Sequence, residues 1–339
     1  MRISRRTAIA SMLAAAAMPA FGANHAVKVP TRGFNLPDWL AESPRIPAAT
    51  TLGRLRDLGF ETIRLPIDPT LVAPAFLPRI GAAIEQATSL GFNTIVDMHP
   101  GAADSETLVA AWTTLAPLLA DSSAGQVYPE LCNEPPYEPA DFTPLRDRLA
   151  DIVRTRAPHH TLIWGPARYQ GIWELDSTPP LGDGNEIVAV HYYSPMAFTH
   201  QCESWGNSPL ERIGNLPFPA TRADPRVEAV AASLAEADRA VLDEAFLTEW
   251  TTAQIEADFA AAGAWSRRNN VPVMLGEFGV LDFCVDPVSR ATWIRAVREA
   301  AEANAIGWVH WDLDDGFGFI SDRGDDASFD HDIIAALLA

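Results

Sequence analysis

Glu134 and Glu277 are the residues from which chemistry can first be read, because each closes an otherwise apolar run of the chain. A carboxylate in a buried strand is costly unless it has partners or a task. One such glutamate is explained as readily by structural ion pairing as by catalysis. Here there are two on different runs, and Arg64, Asp97, His99, Asn133, His191, Tyr193, Trp311 and Asp312 stand at or near the ends of comparable runs, which points to catalysis. Paired carboxylates suit cleavage of a glycosidic bond, in which one group protonates the leaving oxygen and the other attacks the anomeric carbon or activates water. Other chemistries lack their signatures: there is no His-Glu-x-x-His helix, no Gly-x-Ser-x-Gly elbow and no Walker loop. His99 and His191 lack tight ligand spacing and read as hydrogen-bonding partners of the carboxylates, so neither metal nor cofactor is expected.

Something must carry these side chains to one place. Eight β-type runs, 33–36, 62–67, 93–99, 127–133, 161–166, 187–193, 271–278 and 307–313, alternate with helical periodicities. Continuous apolar stretches such as Ile187-Val188-Ala189-Val190 suit parallel strands covered on both faces. Helical spacing links Leu52, Leu55 and Leu58, then Leu77, Ile80, Ile84, Ala87 and Leu90, then Leu145, Leu149, Ile152 and Val153. Gly59 and Gly91 stand where two of these helices should terminate. Successive strand starts lie 26 to 36 residues apart, except for an interval of 84 after the sixth. That spacing predicts a single-domain (β/α)8 TIM barrel over residues 27–339, with a long inserted loop at 194–250 before a helix at 251–269. A doubly wound open sheet uses the same alternation, but Gly33-Phe34-Asn35-Leu36-Pro37 is no phosphate-binding loop.

The 339 residues, 48% hydrophobic and 20% charged, exclude disorder as the main state. A net charge of −19 repels phosphate backbones and anionic lipid headgroups, so nucleic acid is not an expected partner. Residues 1–26 have the form of an export signal: Arg2, Arg5 and Arg6, then a short alanine-rich apolar run, then small residues. Ser4-Arg5-Arg6-Thr7 resembles a twin-arginine signal. The apolar run is shorter than the roughly 20 residues that span a bilayer. The expectation is a monomer exported to the periplasm or beyond, with no membrane association once the signal is removed.

Of three cysteines, Cys132 lies on a predicted buried strand, and Cys202 and Cys284 lie in loop segments. The loops after strands six and seven of a barrel are neighbours at its rim, so a Cys202–Cys284 bridge is expected in an oxidising compartment, with three free thiols as the alternative.

Asn133-Glu134-Pro135 and Gly276-Glu277-Phe278-Gly279, together with Arg64 in Ile-Arg-Leu-Pro, His99 in Val-Asp-Met-His, His191 and Tyr193 in His-Tyr-Tyr, and Trp311 in Gly-Trp-Val-His-Trp, resemble the cellulase-type glycoside hydrolases of family five. The resemblance covers nearly all of the chain after residue 26. It implies a retaining double displacement with Glu134 as acid/base and Glu277 as nucleophile. It also implies that Arg64 and Tyr193 hold Glu277 and that Asn133 bonds the sugar 2-hydroxyl. His99 and His191 would orient hydroxyls and carboxylates, and Trp311 would floor the subsite. At the separation expected of retaining carboxyls, the charge on Glu277 is expected to raise the pKa of Glu134. The resemblance leaves the substrate open among β-1,4-glucan, placed first, β-mannan, xyloglucan and β-1,3-glucan; a non-catalytic sugar-binding protein is the alternative from another class. Trp39, Trp173, Trp205 and Trp250 each read as packing residues at least as readily as sugar platforms, although Trp205 lies in the inserted segment, where lining a sugar subsite is its alternative.

Overall fold

A computed structural model describes residues 27–339 apart from 102, 206 and 207. The segment read as an export signal lies outside the described residues. Eight parallel strands close into a barrel in sequence order: β1 (Gly33–Asn35), β2 (Thr62–Ile67), β3 (Asn93–Met98), β4 (Val127–Glu130), β5 (Leu162–Trp164), β6 (Glu186–His191), β7 (Val273–Glu277) and β8 (Gly307–His310). Around them run α1 (Ala49–Leu58), α2 (Leu77–Ser89), α3 (Ser105–Leu119), α4 (Pro139–Arg156), α5 (Met196–Thr199), α6 (Pro225–Ser233), α7 (Glu236–Ala245), α8 (Thr252–Asn269), α9 (Pro287–Ala303) and α10 (His331–Leu338). A single short turn, Ile172–Glu174, stands where a helix would follow β5. Among the described residues no helix is long and apolar enough to cross a membrane.

Period-two alternation divides each strand between two cores. One face packs on the helices, as Ile63, Leu65 and Ile67 do on β2. The other fills the barrel with Ile95, Tyr128, Ile163, Ile187, Ala189, Met274 and Val309. Two residues further along, toward the strand C-termini, the inward positions turn polar: Asp97 after Ile95, Glu130 after Tyr128 and His191 after Ala189. The barrel is therefore an apolar plug beneath a polar layer, the arrangement that puts chemistry at the C-terminal mouth of such folds.

The structure departs from expectation at the strand ends and in the insertion. Strands four, five, six and eight stop at Glu130, Trp164, His191 and His310, so Asn133, Glu134, Tyr193 and Trp311 stand on the segments that leave the sheet. The inserted segment is partly helical, carrying α5, α6 and α7. Its elements have their own local causes: Pro225 opens α6 behind Asp224, whose carboxylate accepts from the Arg226 N–H. Phe198, Phe218 and Trp250 then bury their rings against one another. The Cys202–Cys284 disulfide ties this segment to the loop after β7, with Cα atoms 6.0 Å apart, and Cys132 is a buried free thiol.

Candidate active site

Strand register assembles the polar layer. Asn35 of β1 lies beside Arg64 of β2, Asp97 of β3 beside Glu130 of β4, and His191 of β6 beside Glu277 of β7, where the ladder shifts between Val190 and His191. Arg64 is fully buried and is the hub. Its Nε donates to Glu130 Oε2 at 2.7 Å and its Nη2 to Glu130 Oε1 at 3.0 Å, a bidentate pair. Nη2 also reaches Asn133 Oδ1 at 2.7 Å and lies 3.1 Å from Asp97 Oδ2. Nη1 donates to Asn35 Oδ1 and to Glu277 Oε1, both at 2.8 Å. Burial alone would lower the Arg64 pKa, but the charges of Asp97, Glu130 and Glu277 outweigh it and hold the guanidinium well above its ordinary value.

Glu277 is clamped from two sides, because the Tyr193 hydroxyl donates to its other oxygen at 3.0 Å. Burial and the charges of Glu277 and Glu134 push the Tyr193 phenol well above its usual range, so it stays a donor. Both carboxylate oxygens of Glu277 thus accept hydrogen bonds that fix the direction in which the group points.

Glu134 is held differently. Its Oε1 meets His191 Nδ1 at 2.8 Å, and the same nitrogen lies 3.5 Å from Glu277 Oε2. One oxygen from each glutamate and a ring nitrogen of His191 fall within 4.8 Å of one another. Burial pushes the Glu134 carboxyl up, but the hydrogen bond and charge of His191, helped by His99 and Arg64, outweigh it and leave the group below the ordinary value of 4.5. This overturns the expectation that Glu277 would raise Glu134, because a cation in contact outweighs a second anion further away. For His191 the balance is reciprocal: burial lowers it, and the charge of Glu277 with the hydrogen bond and charge of Glu134 raise it above 6.5. Three potential ligand atoms also satisfy the geometry of a cation site, but Arg64 and Tyr193 already occupy the oxygens of Glu277 and His191 tends to hold a proton.

His99 completes the layer. Its Nδ1 contacts Asp97 Oδ2 at 2.9 Å and its Nε2 faces the Asn133 amide nitrogen at 3.2 Å. Because Asn133 Oδ1 is taken by Arg64, the amide presents its N–H to Nε2, which places the ring proton on Nδ1 toward Asp97. Trp311 lies over His99 with ring centroids 5.8 Å apart and planes inclined by 22°.

These side chains open into a cleft of about 780 Å³ whose lining includes Glu134, Glu277, His191, Tyr193 and Trp311. Its wall is aromatic: Tyr169, Trp173, Trp205 and Phe317 face it, and Trp173 and Trp205 are 63% and 49% exposed. Trp39 and Trp250 are buried packing residues, so the four tryptophans left open by the sequence divide evenly. His99 and Trp311 also line a second depression of about 740 Å³ with Pro37, Asp38, Asp68 and Thr70, so the groove continues past the glutamates on the other side.

The structure brings Arg64, His99, Asn133, Glu134, His191, Tyr193, Glu277 and Trp311 to one mouth. The residue reading missed Asn35, Glu130 and Gln170. Glu130 was findable, because a carboxylate two positions beyond Tyr128 must face the barrel interior and needs a cation there. Gln170 carried no such signal, since it lies on the loop after β5.

A closed (β/α)8 barrel with two glutamates converging at its mouth is the framework shared by barrel glycoside hydrolases. Residues 22–316 match the sequence family described as Cellulase (glycosyl hydrolase family 5), and the chain belongs to that family. Endoglucanase 3 of Fibrobacter succinogenes is 27% identical over 87% of this chain, and Endoglucanase H of Acetivibrio thermocellus is 24% identical over 83%. The aligned region makes up 51% of the first relative and 29% of the second. Among solved structures, the cellulose synthase subunit Z of Clostridioides difficile superposes with a TM-score of 0.75 at 23% identity, covering 91% of this chain and 100% of that one. Endoglucanase Cel5A of Thermotoga maritima gives 0.75 at 22% identity, covering 91% and 96%.

Proposed function

We propose that this protein is an exported, retaining β-glycoside hydrolase that cuts within β-1,4-glucan chains. The observation that carries the reading is the approach of Glu134 and Glu277 oxygens to within 4.8 Å. Retaining enzymes hold their carboxyls about 5 to 5.5 Å apart, whereas inverting ones need about 6.5 to 9.5 Å to admit a water. In the first step Glu277 attacks the anomeric carbon while the leaving oxygen takes the proton held by the Glu134–His191 pair. In the second, Glu134 removes a proton from water, which displaces Glu277 from the glycosyl-enzyme. Arg64 and Tyr193 keep Glu277 aimed, and Asn133, anchored by Arg64, presents its amide to the sugar at the 2-hydroxyl. Trp311 offers a face for the ring at the cleavage point.

A groove that continues on both sides of the glutamates favours cutting inside a chain over trimming its end. The choice of β-1,4-glucan is supported by the names of the relatives as endoglucanases and by a Cel5A structure in complex with cellobiose; another Cel5A structure is in complex with mannotriose, which keeps β-mannan as the second reading. Export is supported by the form of residues 1–26 and by the disulfide, which suits an oxidising compartment. The test is a panel of β-1,4-glucan, β-mannan, xyloglucan and β-1,3-glucan with product sizing and proton NMR of the first products. Internal cleavage of the glucan with β-configured product appearing first is expected. Initial α product, or binding without release of reducing ends, refutes the reading.

A further inference from the structure

We infer that Gln170 is a positioning residue that fixes the backbone of Glu134 and thereby aims its carboxylate; this rests on the acid/base role proposed for Glu134. Glu134 sits at φ +41°, a left-handed conformation that a non-glycine residue adopts only when its surroundings hold it there. What holds it is the Gln170 side chain, whose Oε1 accepts the Glu134 backbone N–H at 2.5 Å.

Gln170 is itself a built feature. It is fully buried and ends a run of three left-handed residues, Arg168, Tyr169 and Gln170, with φ of 58°, 64° and 56°. The run crosses the Glu134 segment, with the Arg168 N–H donating to Tyr137 O at 3.2 Å and the Tyr169 N–H to Pro135 O at 3.1 Å. The space for the Gln170 side chain comes from the polar layer itself. Just past the end of β5, the position two residues beyond the inward-facing Ile163 is Gly165, which contributes no side chain. A Cβ there would stand 2.0 Å from Gln170 Cγ, so the glutamine occupies the place that the strand leaves empty.

From that place Gln170 touches both halves of the site. Its backbone carbonyl accepts from the His191 N–H at 2.8 Å, its amide nitrogen lies 3.5 Å from Glu130 Oε1, and Glu130 grips Arg64, which in turn holds Glu277. One residue thus ties the backbone of the acid/base and the carboxylate behind the nucleophile's arginine through its side chain, and the backbone of the histidine partner through its own carbonyl. Tyr169, the preceding residue, is 61% exposed in the cleft wall, so the same loop turn presents a ring to a bound chain and an anchor to Glu134.

The role predicts a particular failure. A misaimed acid/base slows steps in which the leaving oxygen needs a proton and spares those in which it does not, whereas loosened packing slows both. The experiment measures kcat and KM on aryl β-cellobiosides from 2,4-dinitrophenyl to phenyl for the wild type, Q170M, Q170E and G165A. Q170M keeps the bulk and loses the acceptor, Q170E keeps an acceptor oxygen, and G165A displaces the native glutamine. In Q170M and G165A, kcat/KM, which reports the first step, should fall at least tenfold for the phenyl substrate and change less than about threefold for the dinitrophenyl substrate; Q170E, whose carboxyl can bridge the Glu134 N–H and Glu130 only when protonated, should recover part of the loss, and more of it at low pH. Equal losses across the series, or none, overturn the inference. Amide exchange of Glu134 supplies an arm that needs no variant: slow exchange in the wild type is expected, and exchange as fast as in an open loop overturns the anchor. If the wild type cleaves none of the series, the proposed substrate falls, and the exchange measurement still decides the role of Gln170.

Discussion

Replacing His191 with asparagine should move the alkaline limb of the pH–rate profile toward acid. On the proposed mechanism the proton for the leaving oxygen is shared between Glu134 and His191, whose contact is 2.8 Å. The glutamate is held below 4.5 and the histidine above 6.5, so over the interval between them the pair carries one proton, resident on the imidazole and in contact with the carboxylate. As pH rises through the raised histidine value that proton is lost, and activity falls with it. Without the imidazole the proton must reside on Glu134 itself. The two ordinary values differ by the interval from 4.5 to 6.5. The ion pair, worth about 1 to 4 kcal/mol between charge centres about 4 Å apart, widens that gap for the intact pair, and the lower part of the range applies because the pair opens onto solvent. Burial of Glu134 and the charge of Glu277, no longer opposed by His191, narrow it again. Because the proton then resides on a carboxyl, whose ordinary value is 4.5, in place of an imidazole, whose ordinary value is 6.5, the alkaline limb of kcat/KM should move toward acid in H191N. The assay is kcat/KM from pH 4 to 9 on a soluble glucan, with circular dichroism at each pH to exclude unfolding. A limb that stays in place or rises would refute the shared proton.

Other outcomes follow from the same contacts. Glu277→Gln should abolish turnover with the fold intact, while Glu134→Gln should retain activity on dinitrophenyl substrates, as steady-state kinetics on both substrate types would reveal. Arg64→Met leaves Asp97, Glu130 and Glu277 buried without their cation and should destabilise by about 3 to 5 kcal/mol in urea unfolding; a change below about 1 kcal/mol would contradict the hub. Trp173→Ala and Trp205→Ala should each raise KM for cello-oligosaccharides by roughly 3- to 10-fold with little change in thermal midpoint, since both rings are solvent-facing in the cleft rather than packed in a core.

The barrel was legible because its rules are local and repeated. Residues 62–67 form β2 over the stretch that apolar alternation marks, and Gly59 and Gly91 adopt the positive φ of 113° and 85° that terminating glycines require. Likewise, the charge of Arg64 inside an apolar run declared a buried cation, and a buried cation needs anions. The ends of strands four and eight were not legible. Hydrophobicity continues through Leu131-Cys132 and Leu313, and only closure of the barrel determines where the ladder loses its neighbour. The inserted segment read as loop because its helices are short and depend on rings such as Phe198, Phe218 and Trp250 meeting across the fold.

What the sequence determined by itself is the inventory: eight side chains at or near the ends of predicted strands, two of them glutamates on different strands. What only the tertiary structure decided is their protonation and aim. The pKa of Glu134 depends on whether His191, which the sequence separates from it by 57 residues, lies nearer than Glu277, and the structure sets that at 2.8 Å. The conformation of Glu134 depends on a glutamine that enters the barrel through the gap left by Gly165. Electrostatic energies scale inversely with distance and hydrogen bonds fail within a few tenths of an ångström, so such facts belong to three-dimensional proximity and leave no period in the chain.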